Sequence, residues 1–136
     1  MKTDARTVQP GDEFDPLTFT VTEEMNDQYL YAEQDHHPRY RWLAHPGLLL
    51  NMSNNTRSPS FYLPPGWAEI HARESLSFLR PANVGDELTV TWKVLQTWEK
   101  NEMPWHKVSI TVTREKDDKI VLVRLMTNTF TRGEDA

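Results

Sequence analysis

The second half of the chain alternates between apolar and polar residues. Ala68, Ile70, Ala72, Glu74, Leu76 and Phe78 alternate with Glu69, His71, Arg73, Ser75 and Ser77, the two-residue period of a strand, and Leu76 and Phe78 form its most apolar end. Leu88, Val90, Trp92 and Val94 alternate with Thr89, Thr91 and Lys93. Val108, Ile110 and Val112 alternate with Lys107, Ser109, Thr111 and Thr113, and a last strand runs from Ile120 to about Phe130 with an apolar stretch Ile120–Val123. Pro81 with ANVGD, a turn near Lys100–Asn101 and Lys116-Asp117-Asp118 separate these strands.

The first half carries helical signals. Residues 1–16 read as an arm leading into a short strand around Leu17–Val21. Thr22 is a good N-cap, and Glu23 and Glu24 sit at the positive end of a helix dipole. Met25, Tyr29 and Ala32 then share one face, and Pro38 marks the end of the helix. DHHPRYRWLAHPG, Asp35 to Gly47, reads as loop. Pro46 suits the first turn of a second helix from about Gly47 to Ser58, with Leu48, Leu49 and Met52 buried and an unusually polar second half. Ser58 to Trp67 is a proline-rich connection.

The order is therefore short strand, helix, loop, helix and four long strands joined by hairpins, which must run antiparallel. A sheet of this kind with the second helix on one face is an α+β arrangement, and a sheet wrapped around one central helix is the hotdog architecture.

Composition narrows the function. A chain of 136 residues fits one domain, 1–136, and buries only about two-thirds of its unfolded surface, so a partner subunit would help it. Net charge is −5 with scattered basic residues, which argues against nucleic acid as the main ligand. The longest purely apolar run, Leu48-Leu49-Leu50, is far short of a membrane span, and MKTDARTVQPGDEFD has no apolar centre like that of a signal peptide. The cytoplasm is the default expectation. There is no cysteine, so neither a disulfide nor a zinc-thiolate site can form.

GWAEIHARESLSFLRPANVGDELTVTWKV, with Pro81 and Gly85-Asp86, resembles the strand, proline, turn, Gly-Asp, strand signature of the MaoC-like acyl dehydratases. NEMPWHKVSITVTREKDDKIVLVRLMTNTF resembles their two closing strands. The resemblance spans roughly Thr18 to Phe130 and is nearest to the N-terminal half-domain type. It implies a hotdog fold and the hydration of trans-2-enoyl thioesters, or dehydration of 3-hydroxyacyl thioesters, carried on CoA or acyl-carrier protein. No cofactor is implied. The family loop Asp-x-Asn-Pro-x-His corresponds here to Asp35-His36-His37-Pro38-Arg39-Tyr40. Asp35 and Pro38 match, His37 replaces the asparagine, and Tyr40 stands where the catalytic histidine belongs. The later His-Gly reads His45-Pro46-Gly47.

Hydration of a conjugated thioester needs a base, an acid and N–H donors for the thioester oxygen. The Gly47 and Leu48 amides, at a helix N-terminus, are candidate donors; the alternative is that they merely start a helix. Asp35, His37, Tyr40 and His45 are the catalytic candidates, with His37 or His45 replacing the missing histidine and Asp35 orienting it. The plainer alternative is that these histidines cap helix ends or face water. The spacing of His36, His37 and His45 does not favour a metal. Trp42, Phe61, Tyr62, Trp67 and Trp98 are candidates for an acyl tunnel or else core. Arg73, Arg80 and Lys93 are candidates for CoA phosphates or else solvated strand charges. His71, in the polar register, reads as structural.

Three activities compete: a hydratase or dehydratase, a half-site subunit whose partner carries the standard Asp/His pair, and a hotdog thioesterase using Asp35 or Glu69. A binding module without thioester chemistry is the remaining class. The expected assembly is a homodimer, or a heterodimer with a second MaoC-like chain, because pairing protects exposed sheet edges.

Overall fold

The computed structural model describes residues 3–33 and 37–133, with side chains for 4–29 and 37–133. In chain order the elements are β1 (Thr3–Asp4), β2 (Glu13–Thr20), α1 (Glu23–Glu33), a 3₁₀ turn (Pro38–Arg41), α2 (Pro46–Met52), a second 3₁₀ turn (Asn55–Arg57), β3 (Phe61–Tyr62), β4 (Trp67–Phe78), β5 (Glu87–Lys100), β6 (Met103–Arg114) and β7 (Lys119–Arg132). The five long strands form one antiparallel sheet in the order β2-β5-β6-β7-β4, while β1 and β3 pair in parallel.

The alternation in β5, β6 and β7 does what its period dictates. Leu88, Val90, Trp92 and Val94, then Val108, Ile110 and Val112, then Leu122, Met126 and Phe130 are all buried, and Leu48 and Leu49 of α2 join the same core. The sheet thus carries α2 on one face, the α+β hotdog arrangement read from the sequence. Thr22 caps α1, its Oγ1 accepting from the Met25 amide at 3.1 Å. Asn101 and Glu102 both have positive φ, 53° and 63°, as a two-residue hairpin matching the strand twist requires.

Four expectations are corrected. The arm is partly ordered into β1, and β2 begins at Glu13 rather than near Leu17; a register shift between Phe14 and Leu17 accommodates Pro16. The second helix ends at Met52, not Ser58. The Ser53 hydroxyl donates to Leu49 O at 2.7 Å, which competes with another helical turn.

The remaining corrections concern β4, which pairs with β7 and is not joined to β5 by a hairpin. Residues 79–86 instead cross the end of the sheet, fastened by Ala44 N–H to Ala82 O, Val84 N–H to Trp42 O and Gly85 N–H to Val21 O, at 2.7–2.8 Å. Gly85, at φ +97°, takes a backbone conformation that a side chain would strain. Asp86 accepts the Asn83 amide at 2.8 Å and pairs with Lys116 at 3.2 Å. The Pro81…Gly85-Asp86 motif is therefore the clasp of this crossover. Finally, the pairing of β4 shifts between His71 and Arg73. This bulge inverts the alternation, so Glu69 and His71 share the α2 side of the sheet with Glu74, Leu76 and Phe78.

Candidate functional site

Two polar clusters flank α2, one at each end. At its N-terminal end, Asn26 of α1 is buried and organises the loop of residues 37–45. Its Nδ2 donates to Tyr40 O at 3.0 Å and Leu43 O at 2.7 Å, and its Oδ1 accepts the His45 amide at 2.7 Å. His37 and His45 both act as N-caps. His37 Nδ1 accepts from the Arg39 amide at 3.1 Å, and His45 Nδ1 accepts from the Gly47 amide at 2.9 Å. With Nδ1 accepting, the proton of neutral His45 sits on Nε2. Its ring lies 4.9 Å from that of Tyr40 and stacks 6.0 Å from that of Tyr29. Gly47 lets the two rings sit close: a Cβ there would stand 3.0 Å from His45 Nδ1 and 3.2 Å from the Tyr29 ring, so a larger residue would push them back by a few tenths of an ångström.

The candidate thioester donors are both engaged. The Gly47 N–H points to His45, and the Leu48 N–H donates to His45 O at 3.0 Å. Asp35 lies outside the described residues. Tyr40 is buried, with its hydroxyl accepting from Arg39 Nη2 at 3.0 Å and the Arg39 guanidinium 4.9 Å from its ring centroid.

Beside this cluster opens a cleft of about 390 Å³ between the loop, α2 and the β4–β5 crossover. Leu43, Ala44, Leu49, Phe78, Leu79 and Ala82 give it apolar walls, and Arg39, Tyr40 and Arg80 add polar groups. Phe78 and Leu79 are substantially exposed. The aromatic residues expected to line a tunnel are instead dispersed. Trp42, Tyr62 and Trp98 are exposed, Phe61 packs on Phe14 and Phe130, and Trp67 lies under Arg6. The expected phosphate cations also separate: Arg80 borders the cleft and donates to Ile120 O, while Arg73 and Lys93 border other recesses.

The C-terminal end of α2 is held by residues that sequence reasoning missed. Arg124, buried in β7, donates to Leu50 O at 2.8 Å, Ser53 Oγ at 2.6 Å and Asn54 Oδ1 at 3.2 Å, and pairs with Glu74. Trp92 Nε1 donates to Ser53 O at 2.9 Å. The polar second half of the helix region serves as the set of acceptors for these groups. Parity was a signal for Arg124, His106 and Asn128, which fall in register with buried apolar residues of their strands; nothing in the sequence marks Asn55.

Next to this anchor lie Asn55, Glu69, His71, His106 and Asn128. Asn55 Nδ2 donates to Glu69 Oε2 at 2.7 Å. Asn128 Nδ2 donates to His106 Nε2 at 3.0 Å, which leaves the His106 proton on Nδ1. His71 Nδ1 meets Asn128 Oδ1 at 2.8 Å, and His71 Nε2 lies 3.7 Å from Glu69 Oε1. Asn55 Oδ1, Glu69 Oε1 and His106 Nδ1 are buried without a hydrogen-bond partner in the structure. Burial raises the Glu69 pKa, against the pull of Asn55 and His71, and lowers that of His106 to about 4, with His71 adding to the effect.

Among the described residues no group of three His, Cys, Asp or Glu is placed to hold a metal, and no helix is long and apolar enough to cross a membrane.

No family model and no curated protein sequence matches the chain. Solved structures do. A monoamine oxidase regulatory protein from Archaeoglobus superposes with a TM-score of 0.79 at 19% identity, covering 98% of both chains. A MaoC-like dehydratase from Rhodospirillum rubrum gives 0.70 at 18% identity, covering 92% of this chain and 94% of its own. The fluoroacetyl-CoA thioesterase FlK gives 0.72 at 14% identity, covering 95% and 92%. The chain therefore has the hotdog fold, in the form that MaoC-like dehydratases and a CoA thioesterase share.

Proposed function

We propose that this chain is a MaoC-type protein that binds an acyl thioester in the cleft at the N-terminal end of α2 and hydrates enoyl, or dehydrates 3-hydroxyacyl, thioesters. The observation that carries the reading is an apolar cleft lined by Tyr40 at the opening of the central helix, with the His45 ring packed against Tyr40 behind that wall, 4.9 Å away. Hydrophobic walls suit an acyl chain. His45, fixed through Nδ1, presents Nε2 as the proton-bearing atom, and Asp35 is the candidate for holding it. The structural similarity to a MaoC-like dehydratase supports the same reading.

One observation favours a second reading. The Gly47 and Leu48 amides are both engaged and a tyrosine holds the expected histidine position, which suits a half-site subunit that binds thioester while a second hotdog chain supplies the catalytic pair. The thioesterase reading with Glu69 as base is less well supported. Glu69 lies at the opposite end of α2 from the cleft and does not line it.

The deciding experiment incubates the purified chain with crotonyl-CoA and follows both loss of the conjugated double bond and release of free thiol. Hydration without thiol release supports the enzyme. Saturable binding without turnover, with hydration appearing on addition of a co-purifying hotdog chain, supports the half-site. Thiol release alone overturns both in favour of a thioesterase.

A further inference from the structure

The face of the sheet that turns away from α2 carries a separate feature. Arg73, Thr127 and Lys107 stand opposite one another in register across β4, β7 and β6. Arg73 is placed there by the bulge beside it. Further along the same face Trp98 opposes Trp105, their rings 6.0 Å apart and inclined by 18°. Lys100 Nζ lies 5.9 Å from the Trp105 ring centroid. These six residues border a recess of about 400 Å³ with no acidic residue in its lining. Glu99 and Glu102 border a neighbouring recess on the other side of the same indole pair, which lines both, and Lys93, which stands opposite Glu13 in the sheet, lies outside this one. Among the described residues no carboxylate is ion-paired with Arg73, Lys100 or Lys107, which is unexpected in a chain of net charge −5.

We propose that this recess binds an adenine nucleotide carrying at least two phosphates. The indole pair offers a planar apolar surface on which a purine can stack. Arg73 and Lys107 are two strands apart, about 10 Å, so their long side chains can close on phosphate groups held between them. Lys100 brings a third charge beside the ring surface. A single nucleotide fits better than a nucleic-acid strand, because the cations are confined to one recess and the rest of the chain is acidic. The nucleotide can be free or can be the nucleotide end of a CoA thioester; only the second source rests on the function proposed above.

The test titrates the full chain with ADP, CoA and pantetheine, by tryptophan fluorescence and calorimetry. ADP and CoA are expected to quench emission saturably, and pantetheine to leave it unchanged. Arg73→Gln with Lys107→Gln should weaken nucleotide binding by about tenfold or more, as loss of two charge-assisted phosphate contacts requires. Trp98→Leu should remove most of the quench. Both variants are expected to keep the parental thermal transition, since these side chains lie on the open face of the sheet. CoA binding more tightly than ADP assigns the site to the thioester; equal affinity assigns it to free nucleotide. Absence of ADP and CoA binding, affinity unchanged in the double variant, or tighter binding of a single-stranded oligonucleotide than of ADP overturns the proposal. Hydration of enoyl-pantetheine, which lacks the nucleotide, tests the catalytic reading independently of this site.

Discussion

The two ends of α2 solve the same problem, burying polar groups against an apolar core, in opposite ways. At the N-terminal end the account closes locally: the Asn26 amide serves two carbonyls and one N–H, and two histidines serve as caps. That completeness fixes the loop that forms one wall of the open cleft. At the C-terminal end, Arg124 completes the helix terminus, but the adjoining Asn55–Glu69–His106 group keeps three buried atoms without a hydrogen bond. Burial then shifts protonation equilibria instead of shaping a cavity wall. The first end is organised for shape, and the second makes stability depend on pH.

The largest expected effect tests the complete end. Asn26→Leu strands two carbonyls and an amide, and should cost about 3 kcal/mol or more in urea unfolding. A loss under about 1 kcal/mol would mean that the loop holds without its clamp. Next comes His106. Its pKa is about 4 in the folded chain against 6.5 for the unperturbed group. Between those values the unfolded chain binds a proton that the folded chain does not, so stability falls as pH drops through this window, by roughly 3 kcal/mol in all. His106→Gln should flatten that part of the unfolding profile, and an unchanged slope would locate the acid sensitivity elsewhere.

Glu69 acts with the opposite sign. Its folded pKa is raised above the ordinary value of 4.5, so its contribution is most favourable in acid and is lost as pH rises through the folded value. Glu69→Gln should therefore stabilise the chain more at neutral than at acid pH, while leaving thioester turnover in the cleft unchanged. Leu79→Glu at the cleft mouth should weaken acyl-thioester affinity by about tenfold, the worth of one apolar side chain, with little change in melting temperature. The smallest effect belongs to Lys116→Ala, which removes an exposed partner of Asp86 and should cost less than about 1 kcal/mol.

Much of the fold was legible from the chain alone, and for simple reasons. Burial on one face writes itself as a period of two, so β5, β6 and β7 were readable from Leu88, Val108 and their successors. Thr22 and Pro46 announced helix starts because capping and a missing N–H are local properties. The end of α2 was misplaced because Ser53 looks like any polar helix residue until its hydroxyl finds Leu49 O. The bulge in β4 carried no local signal either: Ala72 continues the alternation that the pairing with β7 interrupts. Among the site residues, His45 and Tyr40 stood out by chemistry, whereas Asn26 is an ordinary polar position on a helix whose pattern shows only its apolar face, Met25 and Tyr29.

The sequence by itself determined that β5, β6 and β7 are strands, that hairpins join β5 to β6 and β6 to β7, and where the two helices begin, since each follows from contacts between near neighbours. Only the tertiary structure decided that β4 crosses to the far side of β7, that Glu69 and His71 turn toward α2, and that Arg73 joins Lys107 on the opposite face. Those outcomes depend on pairings across tens of residues, such as Asn55 with His106 and Arg124 with Leu50, whose geometry exists only once the sheet has closed around the helix.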